Sequence, residues 1–401
     1  MTRVAITGIG SINALGTGVQ AFARALRAGE CGIGELSVIP RAGFRSSRAA
    51  EVKELRPPAW LPRAYARRLS RSALLALIAA DEALRSAILP PALVQDTAVV
   101  VGTTTGGMAT GEHALARAAE GSGGAHISEW LETAVAVPTD DLALLLGCRG
   151  ARLTVSTACS SGANALGIAA DWIRTGRARH VICGGTDSLC EITYSGFNAL
   201  QALDREPCRP FDRERAGLSL GEGAAIFVLE SWQDAEARGA SILGEFVSYG
   251  VSADAHHLTQ PRGDGAGAVL AMRRALEAGG VSAEEIDYIN AHGTGTLLND
   301  VMETRAIKAV FGEKAYRLPV TSTKSMVGHC LGAAGAIEAL ASLLAIRGGF
   351  IPPTATLRNP DPECDLDYVP QVSRAATLRT VLSNSYGFGG NNTSVVVRTH
   401  E

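Results

Sequence analysis

Three short stretches of this chain gather side chains that can move acyl groups. The first is "VSTACSSGANALGIAADWIR", residues 155–174, where Cys159 stands among Ser, Thr, Ala and Gly. "LTVST" reads as a β-branched strand, and Leu166, Ala169, Trp172 and Ile173 then recur at helical spacing. Cys159 is therefore expected on a tight strand-to-helix turn, faced by the first free N–H groups of the helix. That setting favours a thiolate and offers backbone donors to an oxyanion. For Cys159 taken alone, a buried structural thiol is the other reading. The second stretch, "YINAHGTGTLLNDVMETRA", puts His292 at a strand end before Gly293 and Gly295, with Glu303 eleven residues on in a helix. The third, "STKSMVGHCLGAAG", sets Lys324 and His329 in a loop ahead of a helix.

A cysteine with two imidazoles and a lysine suits acyl transfer. The sulfur attacks a thioester, backbone N–H groups hold the oxyanion, and two neutral imidazoles steady an enolate formed on loss of CO2. Lys324 is costly to bury unpaired, and Glu303 is its expected partner, holding it charged beside His329. A solvated helix face is the plain alternative for Glu303. In "NSYGFGGNN" Phe388 sits between glycines, which suits a residue that moves; a plug between closely packed strands is the alternative.

The elements that must position these residues alternate strand with helix. "RVAITGIG", "TAVVVGT", "RLTVSTA", "RHVICGGTDS" and "GAAIFVLES" read as strands, with helices over 19–28 and "SRSALLALIAADEALRSA". A second cycle begins near Ser231 and closes with the hairpin "TVLSNSYGFGGNNTSVVVRT". The cycles echo each other: "VSTACSSGANALGIAA" resembles "TSTKSMVGHCLGAAGAIEAL", and "VICGGTDS" resembles "VLSNSYGFGG". We read a duplicated α/β unit, residues 1–235 and 236–401, with both halves sending loops to one shared site.

Composition narrows the class. Of 401 residues 46% are hydrophobic and 19% charged, as in an ordinary globular protein, and a net charge of −3 gives no pull toward nucleic acid or membrane. Eight cysteines without a CxxC pair fit a reducing cytoplasm, and no motif has zinc spacing. "MTRVAITGIGSINALGTGVQAFA" loosely mimics a signal peptide, but Gly8, Gly10, Ser11 and Asn13 interrupt its apolar core. No run is expected to be apolar enough to span a bilayer. "TGIGSINALG" imitates a dinucleotide fingerprint but carries Asn13 at the third glycine position.

Taken together, "TACSSG", "AHGTGT", "STKSMVGHCLGAAG" and "GFGG" make the chain resemble, over nearly its whole length, the elongating β-ketoacyl-acyl carrier protein synthases of fatty acid and polyketide synthesis. The resemblance implies a thiolase-like fold of five layers, αβαβα, and decarboxylative condensation of a malonyl unit with an acyl group on Cys159. His292 and His329 would assist decarboxylation, Lys324 would support His329, and Phe388 would gate the site. The oxyanion hole would be the N–H groups of Cys159 and Phe388. Thr259, Thr294 and Thr296 match positions that hydrogen-bond the phosphopantetheine arm, and Thr105 and Phe197 match the acyl pocket. Asn290, Glu338, Ser383 and Asn384 match a structural cation site of some members. No cofactor is implied beyond the phosphopantetheine on which substrates arrive.

The partners implied are an acyl carrier protein and a second subunit, either this chain again or a chain-length-factor-like one. Arg63, Arg67, Arg68 and Arg71 form a basic stretch suited to an acidic carrier protein. "GFGGNN", where a Thr commonly precedes the last Asn, and Thr105, where a larger apolar residue is common, leave the chemistry intact while opening polyketide or aryl-polyene substrates. Three other readings stay on the table: a priming synthase or thiolase, a non-catalytic partner subunit, and a cysteine hydrolase. A priming synthase would use Cys-His-Asn, a thiolase a second C-terminal cysteine, and a partner subunit would lack the nucleophile.

Overall fold

"RVAIT" opens a ten-residue strand, Val4–Asn13 (β1), buried at every position, as a strand covered on both faces requires. The computed structural model describes residues 2–41, 43–121 and 126–400. After β1 the first half supplies Ala98–Gly102 (β2), Arg152–Val155 (β3), His180–Asp187 (β4) and Gly223–Ser231 (β5). The second half supplies Gly244–Ala253 (β6), Tyr288–Asn290 (β7), Val320–Thr321 (β8), Thr380–Gly387 (β9) and Asn391–Arg398 (β10). With the short strand Gly16–Thr17 paired to β1 they form one sheet, ordered β8-β7-β9-β10-β6-β1-β5-β4-β2-β3.

That order contains the duplication. Outward from the centre the first half runs β1, β5, β4, β2, β3, and the second runs β6, β10, β9, β7, β8. In each half the first two pairings are antiparallel and the last two parallel. The halves join where β1 meets β6 through Ala5–Glu245 and Ile6–Gly244. The echoes in the sequence fall on equivalent elements, β4 with β9, and the helix after β3 with the helix after β8.

Helices complete five layers. Arg71–Ala87 (α1) and Val137–Leu146 (α2) cover the outer face of the first half. Ser161–Arg174 (α3) packs between the halves, while Ala266–Gly279 (α4) and Leu297–Phe311 (α5) cover the outside of the second. Ala334–Gly348 (α6) lies beside α3 in the central layer and is buried from Ala334 to Ile346. The expectation that no run is apolar enough to span a membrane fails for Leu331–Gly348, which passes by length and composition. It is 89% buried inside the fold, and burial on every side explains its composition.

Where α3 and α6 cross, backbone meets backbone. A Cβ on Gly162 would stand 2.9 Å from the Ala336 amide nitrogen, and one on Gly335 would stand 2.8 Å from that of Ala163. Small residues at this point set the separation of the two helices, and with it the separation of the turns that precede them. Gly162→Ala should therefore destabilise the protein by about 1–3 kcal/mol, as overpacking does in dense cores. Urea unfolding checks this; a variant with the parental midpoint would contradict so close a crossing.

Candidate active site

The turn between β3 and α3 is strained. Ala158 has φ 53°, a left-handed conformation unusual for a residue with a Cβ. Local bonds hold it: the Thr157 N–H donates to Ser161 Oγ at 2.9 Å, and Asn164 Nδ2 donates to Thr157 Oγ1 at 2.8 Å. Asn164 Oδ1 in turn accepts from Thr393 Oγ1 of β10 at 2.8 Å, tying the turn to the other half. Cys159, next in the chain, is only 6% exposed. Burial pushes its thiol up to about 11, against the opposing pull of Lys324 and the Phe388 N–H. The helix start was expected to favour a thiolate; desolvation outweighs it, and the resting group is a thiol. The Phe388 N–H reaches this sulfur because Gly387 lets β9 close on the turn: a Cβ there would lie 3.1 Å from the Cys159 nitrogen.

His292 follows β7 and His329 precedes α6, the same end of the second half. Their rings stand edge to face, 86° apart with centroids 5.4 Å apart. His329 Nδ1 accepts the Leu331 N–H at 3.2 Å, so the ring proton sits on Nε2. His292 Nδ1 lies 3.2 Å from Lys324 Nζ, and accepting from this ammonium leaves its proton on Nε2 as well. Burial and the Lys324 charge hold both imidazoles well below the usual histidine range, and the two are neutral donors.

Two expectations about Lys324 are corrected. Its partner is Glu338 of α6, with which it forms a buried ion pair, and not Glu303. Glu303 instead accepts the N–H groups of His292 and Gly293 at 2.9 and 2.8 Å and Asn384 Nδ2 at 3.1 Å, so it anchors the His292 turn. Lys324 also bonds His292 rather than His329. The reason is topological: Lys324 and Glu338 both belong to the β8–α6 segment, while Glu303 on α5 approaches His292 from the outer side. Burial pushes both Glu303 and Glu338 up to about 7.

One cavity of about 370 Å³ is lined by Cys159, His292, His329 and Phe388, and also by Phe197, Thr259, Thr294 and Thr296. Phe388 is half-buried and stacks on Phe197 with centroids 5.3 Å apart. Thr105 is absent from that lining: its buried hydroxyl donates to Asp187 at 2.7 Å, since a hydroxyl inside a protein needs an acceptor. Among the four arginines, Arg63, Arg67 and Arg68 are exposed. Arg71 is not available for docking, because its guanidinium grips the buried Glu222 through two nitrogens.

Of the residues matched to a cation site, Asn290 Oδ1 and Ser383 Oγ are buried without a hydrogen-bond partner. Glu338 commits its carboxylate to Lys324 and Ser385, and the Asn384 side chain is engaged by Glu303 and Ser394. No group of three or more His, Cys, Asp or Glu among the described residues could hold a metal ion. Sequence reading missed Asp187 and Asp254. The second lines the cavity and accepts Asn392 Nδ2 at 2.8 Å, beside the glycine loop after Phe388. Asp187 ends the strand in "VICGGTDS", but nothing local marks either carboxylate: their partners Gly332 and Asn392 lie more than a hundred residues away.

Family models described as beta-ketoacyl synthase, N-terminal domain and C-terminal domain match residues 1–235 and 243–358. The chain is 39% identical over 410 residues to the 3-oxoacyl-[acyl-carrier-protein] synthase 2 of Synechocystis sp., covering 100% of this chain and 98% of that one. It is 41% identical over 396 residues to nodulation protein E of Rhizobium meliloti, with 97% of each chain covered. Among solved structures, the ishigamide ketosynthase/chain length factor superposes with a TM-score of 0.94 at 37% identity, over 100% of both chains.

The Lys324–Glu338 pairing has a measurable signature. Glu338→Gln should cost about 3–5 kcal/mol, the penalty for leaving one member of a buried pair uncompensated. Adding Lys324→Met should recover much of that loss in urea unfolding. Rescue of Glu303→Gln by Lys324→Met instead would restore the pairing the sequence suggested.

Proposed function

Because this chain belongs to the beta-ketoacyl synthase family, we propose that Cys159 carries the growing acyl chain while His292 and His329 generate the carbon nucleophile that extends it. The protein is an acyltransferase that condenses carrier-bound acyl and malonyl units in fatty acid or polyketide synthesis. One observation supports this assignment of roles above the rest: two neutral imidazoles, edge to face at 5.4 Å, share a cavity with a single buried cysteine.

Condensation then proceeds in three steps. The Cys159 sulfur attacks the acyl thioester, a new S–C bond forms, and the carrier's phosphopantetheine thiol leaves with the proton. The N–H groups of Cys159 and Phe388 hold the transient oxyanion. A malonyl thioester next enters along Thr259, Thr294 and Thr296, and its carbonyl oxygen accepts from both Nε2–H groups. Its bond to the carboxylate breaks, CO2 leaves, and the electron pair becomes an enolate. Neutral donors suit this step, since a charge that develops late is steadied by dipoles already in place. The enolate carbon finally attacks the acyl carbonyl, the Cys159 sulfur departs, and the β-ketoacyl chain, two carbons longer, stays on the carrier. A hydrolase would need a water-activating base beside Cys159, and both imidazoles have their Nδ1 atoms committed elsewhere.

The carrier protein docks on the exposed Arg63, Arg67 and Arg68, and the second subunit, a copy of this chain or a chain-length-factor-like one, pairs at the open edge strand β3. Leu153, exposed on that strand, suits burial there. Orphan oxygens on Asn290 and Ser383 suit a structural monovalent cation. Eight free cysteines suit a reducing cytoplasm.

With acyl- and malonyl-carrier protein, the chain should release CO2 and yield a product two carbons longer; hydrolysis without growth would defeat the reading. Cys159→Gln should abolish condensation while keeping malonyl decarboxylation, because the amide mimics an acylated sulfur, whereas His329→Ala should lose both activities while remaining folded. Retained CO2 release in His329→Ala would contradict its role. Arg67→Glu with Arg68→Glu should raise KM for the carrier protein roughly tenfold or more, by removing charge complementarity worth on the order of 1–2 kcal/mol. Unchanged kinetics would rule out docking on that face.

A further inference from the structure

Asp187, the last residue of β4, is wholly buried and forms no ion pair among the described residues. Its carboxylate is instead ringed by neutral donors. Oδ1 accepts Thr103 Oγ1 at 2.6 Å, the Thr105 N–H at 2.9 Å and Thr105 Oγ1 at 2.7 Å. Oδ2 accepts the Thr104 N–H at 2.9 Å and, from the other half of the molecule, the Gly332 N–H at 2.6 Å. A buried carboxylate with five donors and no counter-charge is expensive to keep unless its geometry is used.

What it connects is specific. Gly332 follows Leu331, whose N–H fixes the His329 tautomer and whose own φ is 49°. Thr104, held by Asp187, donates its hydroxyl at 3.2 Å to the carbonyl of Ala158, the strained residue before Cys159. Ala158 and Leu331 occupy corresponding places in the two halves, ahead of α3 and α6, and both are left-handed. Such conformations persist only where surroundings over-determine them. No larger residue fits at 332, because a Cβ there would lie 2.6 Å from the Thr104 nitrogen and 2.7 Å from Asp187 Oδ2.

We propose that Asp187 is a positioning residue for the condensation: one carboxylate clamps the Cys159 turn and the His329 turn at a fixed separation across the two halves. This rests on the roles proposed above for Cys159 and His329. Asn at 187 would keep the shape but replace an acceptor oxygen by a donor, so whichever way the amide turns it faces N–H or O–H donors that it cannot accept.

The experiment uses the full chain. Malonyl-carrier protein decarboxylation by Cys159→Gln is measured first, since its failure sinks the roles themselves rather than the clamp. With that activity in hand, adding Asp187→Asn should lower kcat for CO2 release at least tenfold with KM for malonyl-carrier protein little changed. In the Cys159-containing protein, Asp187→Asn should also slow transfer of the acyl group to Cys159, followed as acylated Cys159 by mass spectrometry. A parental kcat for CO2 release and a parental rate of Cys159 acylation, with only the unfolding midpoint lowered, would overturn the proposal and leave Asp187 a structural residue. Thr104→Val, at a half-buried position, provides the second arm should Asp187→Asn fail to fold: it cuts only the link to Ala158 and should slow acylation of Cys159 more than decarboxylation. Equal slowing of the two, or of neither, would likewise overturn the clamp.

Discussion

Close approach of two central helices is the constraint on which the site depends. α3 and α6 are equivalent elements of a repeated unit, and each begins at a turn with a left-handed residue, one turn bearing Cys159 and the other His329. Because Gly162 and Gly335 let the helices touch backbone to backbone, those turns arrive side by side. Neither half holds a complete site. The first brings the Cys159 sulfur, and the second brings two imidazoles and a buried ion pair. The glycines that bound the Cys159 and His329 turns serve close packing as much as conformation.

Dry surroundings then decide the protonation states. Burial keeps the thiol protonated against the pull of Lys324, and burial together with the Lys324 charge keeps both imidazoles neutral. A charged imidazole would bind the malonyl carboxylate and oppose its departure. A neutral Nε2–H instead favours the oxygen that gains charge only as the carboxylate leaves. The Lys324–Glu338 pair matters for this reason: it places a cation at Nδ1 of His292 without setting a net charge loose in the cavity.

Much of this was legible from residue types. Cys159, His292, Lys324 and His329 lie in short motifs whose neighbours announce strand ends and helix starts, and the duplication is visible as two echoes at matching spacing. The strand order confirms those echoes element by element. Pairings across long sequence distances were not legible. Glu303 shares its helix with Asp300 and Glu338 is the one acid on α6, and nothing local says that Glu303 faces His292 and Glu338 faces Lys324. Arg71 reads as one more surface cation until Glu222, 151 residues away, is seen to bind it. Thr105 reads as pocket lining until Asp187 claims its hydroxyl. Asp187 itself ends a strand in "GGTDS" and signals nothing until Gly332 arrives from the other half. In each case a buried polar group has to find a partner, and the fold rather than the local sequence selects it.

The central claim is that both imidazoles are neutral Nε2–H donors beside the thiol. Selective ¹⁵N labelling of the eight histidines, with two-bond correlation spectra recorded at neutral pH, reads tautomer and charge directly. His292 and His329, assigned by substitution, should each show a protonated Nε2 and an unprotonated Nδ1, unchanged as the pH is lowered through 6.5. An imidazolium pattern at either ring, or a proton on Nδ1, would contradict the account.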